Sequence, residues 1–368
     1  MKQSSPVALE FLRDHIDRLA RVGRLRSPPM KPNPVNGDIS FSTNDYLHIR
    51  VPIVFEPTFG AGGSLLVTGR DFAHDKLERA LADWFDTDGA IVFTSGYSSN
   101  CGTISALVEA GDLVISDAFN HASLVDGARL SKGDVVVVPH LDVDAISRTL
   151  RQKTARRSWI VVESYYSMDA DTPDLVALRK ICDELGAALL VDEAHAIGVF
   201  GPEGRGLCAE RAVVPDVLLG GLGKALNCAG GFVVGCQHLV EWLWNRARTF
   251  VFSTGISPLI ASVAAAHVRA ARVGDDRRAI LEQNTRALRD GLLLRGISPL
   301  GYGPIVPWVT GSSERTLRIS DALRARGIFA PAIRPPTVPE GDARIRFTVT
   351  AGHSLQDIGR LLEAIDKL

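Results

Sequence analysis

The chain lacks the features that mark several broad classes of protein. It has only five cysteines among 368 residues and no CxxC pair, which argues against a disulfide framework and against a zinc site. No apolar run approaches the length of a membrane-spanning helix, and the N-terminal stretch has no apolar segment of signal-peptide length. These absences favour a cytoplasmic protein with no membrane association and no bound metal.

An excess of charge of one sign is also absent. The 41 Lys and Arg residues balance 42 Asp and Glu residues, which leaves a formal net charge of −1. Such a chain has no general attraction for nucleic acid or for an acidic membrane. What remains is 46% hydrophobic and 23% charged, without repeats or low-complexity tracts, and is typical of a globular protein with about two domains.

Short apolar runs alternate with helical patterns through the middle of the chain. The runs WIVVE and AALLV, at residues 159–163 and 187–191, are continuous in apolar residues. Continuous runs are typical of strands that are buried on both faces of a parallel sheet. The alternation therefore predicts an α/β fold, with a mostly parallel sheet covered by helices, over residues 41–265.

The two ends of the chain differ from the middle. Residues 1–40 are predicted to form a helix, beginning near residue 7, and a proline-rich arm. Residues 266–368 are predicted to form a smaller α+β domain whose last helix begins at Ser354, with Asp357 placed as in a capping box. Five apolar residues of that helix are expected to be buried: Leu355, Ile358, Leu361, Leu362 and Ile365.

One stretch holds a single lysine in an otherwise uncharged run. It reads LLGGLGKALNCAGGF, residues 218–232, with Lys224 at its centre. The glycines let the main chain approach another group closely. The lysine is either used chemically or reaches solvent from a glycine-rich turn, and both interpretations fit this stretch alone. It is not a Walker A loop, because Leu218 and Ala225 stand where that motif needs Gly and Ser or Thr.

Polar residues follow several apolar runs, and in open α/β sheets ligands bind beyond the carboxyl ends of the strands. Asp192 ends a buried run, so its carboxylate needs a cation or several hydrogen-bond donors. With His195 it forms the tetrapeptide DEAH, which suggests a helicase or ATPase. That function is disfavoured because no phosphate-binding loop precedes the tetrapeptide. The other candidates are Ser95, Gly96, Tyr97, Asn120, His121, residues 163–167 and Lys224.

Pyridoxal 5'-phosphate (PLP) chemistry uses these residue types together. It needs a lysine that forms a Schiff base, an aspartate that keeps the pyridinium nitrogen protonated and an aromatic side chain on the ring face. The phosphate suits a helix N-terminus. Asp192 and Lys224 are 32 positions apart (224 − 192), which allows a helical crossover and a strand between them. Both side chains could then reach one cofactor.

Over residues 40–365 the chain resembles the α-oxoamine synthases, PLP enzymes with the fold type I architecture of the aspartate aminotransferases. The resemblance rests on the order and spacing of several motifs, each of which is weak alone. They are FSTNDYL, GAGGSLLVTG followed by HDKLE, SGYSSN, NHASLVDG, SYYSMDAD, VDEAHAIGVFGPEGRG, GKALNCAGGF and ARIRFTVTAGHS.

The resemblance implies roles for residues around the cofactor ring. Lys224 would hold the cofactor as a Schiff base and later act as the base that moves the Cα proton. Asp192 would pair with the pyridinium nitrogen, and His121 would stack on the ring face. His195 and Ser167 would bind the phenolic oxygen of the ring.

The resemblance also implies where the phosphate lies. The main chain at Ser95, Gly96 and Tyr97 would seat it. Ser253 or Thr254 would assist from a second subunit, because enzymes of this family are homodimers with shared active sites.

For the substrates, the resemblance implies that Asn44 and Arg346 grip the amino acid carboxylate, Arg346 through a bidentate fork. Arg24 is a candidate for the acyl carboxylate or for coenzyme A phosphates, although surface charge is the more common explanation for such a residue. The implied reaction is a decarboxylative condensation of an amino acid with an acyl-CoA or acyl-ACP thioester.

Within the family, the short N-terminus and compact length are most like the branch that joins L-alanine to pimeloyl-CoA or pimeloyl-ACP, giving 8-amino-7-oxononanoate in biotin synthesis. A relative that uses glycine, serine or another acyl thioester is the alternative. A non-catalytic partner subunit of the same fold is disfavoured, because such a subunit is expected to lack the lysine at 224.

Three positions depart from the family pattern. Gly221, three residues before Lys224, stands where Thr or Ser often supplies a phosphate ligand. His48 stands where glycine is common, in a segment that looks shorter than usual. Ala170 replaces glycine in SMDGD and is expected to force a negative φ at that position.

Overall fold

The computed structural model describes residues 11–26, 32–52 and 58–368. The predicted helix start near residue 7 and the arm at 27–31 lie outside the described residues. By contacts the chain divides into a large unit, Asn44–Gln283 with Thr350–Gly352, and a small unit, Met1–Thr43 with Asn284–Val349 and His353–Leu368. The domain boundaries at residues 40 and 265 stay a prediction.

The strands, numbered along the chain, are β1 Ile39–Ser40, β2 Gly89–Phe93, β3 Leu113–Asp117, β4 Asp134–Val138, β5 Ser158–Glu163, β6 Ala188–Asp192, β7 Val217–Gly221, β8 Gly231–Gly235, β9 Ile305–Gly311, β10 Ile328–Phe329, β11 Ala332–Ile333 and β12 Ala343–Thr348.

The helices are α1 Phe11–Arg21, α2 Phe72–Phe85, α3 Gly96–Leu107, α4 Ala122–Leu130, α5 Val143–Gln152, α6 Leu175–Leu185, α7 Leu207–Glu210, α8 Gln237–Arg246, α9 Arg248–Val251, α10 Pro258–Arg272, α11 Asp275–Leu293, α12 Ser313–Arg324 and α13 Leu355–Ile365. Within the described residues, none of these helices has the length and hydropathy needed to cross a bilayer.

Seven strands of the large unit form one sheet in the order β2-β8-β7-β6-β5-β3-β4. Neighbouring strands run parallel except at β8, which is antiparallel to both β2 and β7. The loop from β7 to β8 spans only residues 222–230, too short for the crossover that a parallel neighbour requires. The prediction of a mostly parallel sheet covered by helices is confirmed.

Burial follows the predicted pattern in the inner strands but not at the sheet edge. Residues of β5 and β6 such as Ile160, Val161 and Leu189 are at most 1% exposed. In β4, which is also a valine run, Val137 is 64% exposed. The expectation that every such run is buried on both faces is therefore wrong for β4, because this strand lies at the edge of the sheet.

The small unit contains the antiparallel sheet β11-β12-β9 and the parallel pair β1-β10. Its last helix, α13, begins with the predicted capping box of Ser354 and Asp357. Leu355 is nevertheless 52% exposed, so the prediction that it is buried is wrong. It occupies the first helical position, outside the stripe formed by Ile358, Leu361 and Ile365.

Ala170 differs from the expectation in its main chain. Its φ is +58°, so the expected negative φ is wrong and the alanine adopts the left-handed conformation that glycine favours. Two main-chain hydrogen bonds hold the turn: Tyr166 accepts from Ala170 and donates to Asp171, each at 2.9 Å. This conformation costs an alanine about 1 kcal/mol, which the closed turn offsets.

Candidate active site

Asp192 is the last residue of β6 and lies at the carboxyl edge of the sheet, beside Glu163 of β5. Its side chain is almost fully buried, at 7% exposure. One carboxylate oxygen accepts from the side-chain amide of Asn100 at 2.7 Å, and the other accepts from the main-chain N–H of Ala194 at 2.8 Å. Of the two expected kinds of partner, a cation or several donors, the structure shows two donors on this carboxylate.

His121 caps the N-terminus of α4 and is fixed at three points. Its main-chain N–H donates to Glu163 at 2.5 Å, and its Nδ1 lies 2.7 Å from Oγ of Ser123. Nδ1 also accepts from the main-chain N–H of Ser123 at 3.2 Å, which requires that this nitrogen carry no proton. The residue as a whole remains exposed to solvent.

The environment of His121 favours a neutral ring. Burial by the surrounding protein lowers its pKa, the carboxylate of Asp192 acts in the opposite direction, and the charge of Lys224 lowers the pKa further. A neutral imidazole presents a flat aromatic face without charge, which suits stacking on another ring.

A hydrogen-bonded chain links Asp192 to His121. The amide of Asn100 donates both to Asp192 and to Oγ of Ser123, the latter at 2.9 Å, and Ser123 in turn contacts the ring of His121. Asn100 and Ser123 stand in the motifs SGYSSN and NHASLVDG, but the sequence analysis assigned them no role. Their residue types alone do not reveal that α3 and α4 pack together at this point.

His195 lies in the turn after β6 and contacts Tyr46, for which the sequence predicted no role. Its Nδ1 is 2.7 Å from the hydroxyl oxygen of Tyr46, and both side chains are buried. The main-chain N–H of Tyr46 also donates to the main-chain oxygen of Asn44 at 2.8 Å. The only sequence signal for Tyr46 is its place in the same motif as Asn44.

Lys224 lies at the tip of the loop between β7 and β8. Hydrogen bonds shape this loop: Leu222 donates to Gly230 and Asn227 donates to Lys224, both through the main chain, at 3.0 and 2.8 Å. The lysine is half-buried, between the exposed Gly223 and the buried Ala225, and its charge acts on both His121 and Glu163. The structure thus brings Lys224, His121 and the Asp192 edge of the sheet together.

The N-terminus of α3 forms a seat for an anion next to this loop. Ser95 is the helix cap, and the first-turn N–H groups of Gly96 and Tyr97 point out of the helix. A Cβ on Gly231 would lie 2.6 Å from the main-chain oxygen of Ser95 and from Cα of Gly96, so only glycine fits there. The glycine main chain and the dipole of α3 suit the phosphate of PLP. The carboxylate of Asp192 suits its ring nitrogen.

The remaining predicted residues are more dispersed. Ser167 is half-buried in the loop after β5, and Ser253 and Thr254 follow α9 in the large unit. In the small unit, Arg346 is buried on β12 and donates to Thr348 at 3.1 Å, whereas Arg24 is partly exposed and pairs with Glu340. The roles of these residues stay predictions.

Glu193, the second residue of DEAH, has a structural role. It is fully buried, and its carboxylate accepts from Ser164 at 2.7 Å and from the main-chain N–H groups of Leu207 and Cys208 at 3.1 and 2.6 Å. A carboxylate engaged in this way is not available to a nucleotide-bound metal, which removes the basis for an ATPase.

His140 joins the loop that carries His121 to the loop that carries Ser167. Its Nδ1 lies 2.8 Å from Asp117 and its Nε2 lies 3.2 Å from Asp171. Burial by itself would lower the pKa of His140, but the hydrogen bonds and charges of Asp117 and Asp171 outweigh it and raise the pKa to about 9. His140 is therefore a cation at neutral pH that holds both loops.

We expect His140 to make folding stability depend on alkaline pH. Because its folded pKa is raised, its contribution is complete below the unfolded value of about 6.5 and is lost as pH rises through about 9. The rise from 6.5 to about 9 corresponds to at most about 3.4 kcal/mol, and solvent screening of the partly exposed ring reduces the expected effect to about 1–2 kcal/mol.

Urea unfolding of the wild type and of His140→Gln across this pH range measures that effect. The difference in unfolding free energy between the two proteins should shrink as pH rises. His238→Gln, at an exposed position on α8, is the control and should leave the pH profile unchanged. A constant difference at every pH would contradict the prediction.

The chain belongs to the class I and II aminotransferase family, whose model matches residues 36–365. Among curated proteins it is 39% identical to 8-amino-7-oxononanoate synthase from Aromatoleum aromaticum, over 95% of both chains. It is 37% identical to 8-amino-7-oxononanoate synthase 2 from Bacillus subtilis, over 97% of both chains. The resemblance to the α-oxoamine synthases is confirmed.

Solved structures agree with this assignment. A serine palmitoyltransferase from S. paucimobilis, solved with bound PLP and myriocin, superposes with a TM-score of 0.89 at 27% identity, covering 99% of this chain and 98% of that one. The 8-amino-7-oxononanoate synthase from Francisella tularensis superposes with a TM-score of 0.76 at 25% identity, covering 90% of this chain and 98% of that one. The predicted fold type I architecture is confirmed.

Proposed function

We propose that the protein is a PLP-dependent acyltransferase that condenses L-alanine with a pimeloyl thioester and releases the thiol and carbon dioxide, forming 8-amino-7-oxononanoate for biotin synthesis. The observation that carries the proposal is the grouping of Lys224, Asp192 and His121 at one edge of the sheet. The names of the curated relatives support the choice of reaction, and the PLP-bound neighbours support the cofactor.

PLP supplies an electron sink that stabilises a carbanion at the amino acid Cα. In this chain, Lys224 would hold the cofactor and would accept the proton from Cα. Asp192 would place a negative charge at the ring nitrogen, and Asn100 and Ala194 keep that carboxylate in place. His121 would cover one ring face, and His195, positioned by Tyr46, would donate toward the phenolic oxygen.

The substrate groups are assigned by charge and position. Asn44 and Arg346 bind the amino acid carboxylate, Ser167 assists at the phenolic oxygen, and Arg24 binds the acyl end of the thioester. The assignments of Asn44, Arg346 and Ser167 rest on the family motifs in which they stand, and that of Arg24 rests on its charge alone. We also propose a cytoplasmic homodimer, in which Ser253 or Thr254 of a second copy reaches the phosphate seat at Ser95, Gly96 and Tyr97.

The reaction is tested by incubating the purified protein and PLP with an amino acid and a thioester, and by measuring the product by mass spectrometry. L-alanine is compared with glycine and L-serine, and pimeloyl-CoA with pimeloyl-ACP and palmitoyl-CoA. We expect product only from L-alanine and a pimeloyl thioester. Product from L-serine and palmitoyl-CoA instead would assign the chemistry of the serine palmitoyltransferases, and no turnover of L-alanine would refute the proposal.

Gly221 should limit how tightly this protein binds PLP. It ends β7, facing the N-terminus of α3, and its φ is not positive. A Cβ added there would meet only Cβ of Ala194, at an ordinary 3.4 Å. Gly221→Ser therefore has room for a hydroxyl beside the phosphate seat, and one hydrogen bond to a charged phosphate should tighten binding about tenfold.

Equilibrium titration of the apoprotein with PLP measures this change. Gly221→Ala is the matched control, because it adds the same Cβ without the hydroxyl and should bind like the wild type. If serine and alanine tighten binding equally, the gain comes from the main chain and the predicted role of the hydroxyl is wrong.

A further inference from the structure

Glu163 is a buried carboxyl group at the centre of the site, and the proposed chemistry does not use it. It ends β5 and is the register partner of Asp192 on the parallel neighbour β6. Register partners on parallel strands point to the same face of a sheet, with main chains about 4.8 Å apart. Glu163 and Asp192 are 4% and 7% exposed. Two carboxylates that are register neighbours and are this deeply buried do not both stay ionised.

The hydrogen bonds decide which of the two carries a proton. Asp192 accepts from two donors, one on each oxygen, so a hydroxyl proton on either oxygen would compete with one of these donors. Glu163 accepts one N–H, that of His121, on a single oxygen. A neutral carboxylic acid can still accept at its carbonyl oxygen, so this bond survives protonation of Glu163.

We propose that Glu163 is a positioning residue that, in its protonated form, fixes the main chain of His121 without adding a second negative charge beside Asp192. The side chain of His121 is fixed separately by Ser123. Glu163 thus sets where the capping turn of α4 begins, and with it the height of the imidazole above the sheet edge. The proposal rests on the proposed function, in which that imidazole covers the PLP ring.

The charged groups around Glu163 agree with this assignment. The pKa of Glu163 is raised to about 8, first by burial and then by the negative charge of Asp192 on β6. Lys224 on the β7–β8 loop and the N–H of His121 lower it, and Asp117 at the end of β3 raises it slightly. At neutral pH the protonated form is therefore the larger population, and ionisation follows above about pH 8.

Two substitutions separate the acceptor from the charge. Glu163→Gln keeps a neutral oxygen that accepts from His121, so PLP should bind within about threefold of wild type at neutral pH. Glu163→Ala leaves the His121 N–H without this acceptor, and PLP should bind about tenfold or more weakly. Glu78→Gln is the control: Glu78 is another buried glutamate that accepts a main-chain N–H, from Val92 at 3.2 Å, and it also pairs with Arg70 at 2.7 Å. Its change should lower stability but leave the PLP affinity of the folded protein unaltered.

Infrared difference spectra of wild type minus Glu163→Gln, recorded without PLP, report the protonation directly. We expect the band of a protonated carboxyl group at neutral pH, replaced by a carboxylate band above about pH 8. A carboxylate band at neutral pH would overturn the proposal, as would a loss of PLP affinity in Glu163→Gln equal to that in Glu163→Ala. Unchanged affinity in Glu163→Ala would also overturn it. If the wild type binds no PLP, the proposed function fails, while the infrared result still tests the protonation.

Discussion

Lys224→Ala is expected to lower condensation activity by at least about a thousandfold. The loss is this large because the proposal gives the lysine two tasks, covalent attachment of the cofactor and transfer of the Cα proton. Steady-state rates with L-alanine and a pimeloyl thioester measure the loss. Borohydride reduction of the protein with PLP, followed by peptide mapping, should place the label on the peptide that contains Lys224 in the wild type only.

Two further variants identify the property of the lysine that matters. Lys224→Arg retains the positive charge that acts on His121 and Glu163, but a guanidinium does not form the Schiff base. It should therefore be as inactive as Lys224→Ala. Lys180→Ala, at an exposed position on α6, is the control and should retain full activity and labelling. A borohydride label that persists in Lys224→Ala would assign the attachment to another lysine.

Much of the fold was predictable because it depends on local pattern. Continuous apolar runs marked the strands at residues 159–163 and 187–191, and Gly186 ends α6 in the left-handed conformation, with φ of +68°, as its sequence pattern indicates. The errors occur where the pattern does not determine the environment. A valine run reads the same at the edge of a sheet as at its centre, so the exposure of Val137 follows from the order of the strands.

The only part of the candidate site that could be predicted from the sequence was the set of residues that follow predicted strands. Asp192, His121 and Lys224 each follow an apolar run, and this placed them at one edge of the sheet. Their supporting contacts depend on tertiary structure: Tyr46 and His195 are 149 residues apart along the chain, and Asn100 and Asp192 are 92 apart. A sequence without homologues aligned to it gives no signal for such pairs.

The pairing of Glu163 with Asp192 was hidden for a related reason. Both residues could be assigned to strand ends, but a shift of one residue in register would place them on opposite faces of the sheet. Only the observed register makes them neighbours. Ala170 is a case in which the residue type gave the wrong prediction. Alanine prefers a negative φ, but two hydrogen bonds that close the turn hold it at a positive φ.

Asp192→Asn is expected to lower activity by about a hundredfold to ten-thousandfold, with cofactor binding weakened less. Asparagine keeps the size of the side chain but has no charge to hold a proton on the ring nitrogen, so the electron sink weakens. Its amide nitrogen would also face the amide of Asn100 or the N–H of Ala194, where the wild-type carboxylate accepts from both. Rates and PLP titrations on the same preparation separate the two effects.

The matched control for Asp192→Asn is Asp216→Asn, just before β7. Asp216 accepts from the main-chain N–H of Leu189 at 2.7 Å and from Arg179 at 2.7 Å, so its loss of charge should lower stability while leaving the activity of the folded protein intact. If Asp192→Asn stays active, the charge at the ring nitrogen must come from elsewhere. Glu163 is the neighbouring carboxyl group. When residue 192 is neutral, charge repulsion no longer opposes the ionisation of Glu163. The double variant Asp192→Asn, Glu163→Gln decides this point: it should remove whatever activity an ionised Glu163 rescues in the single variant.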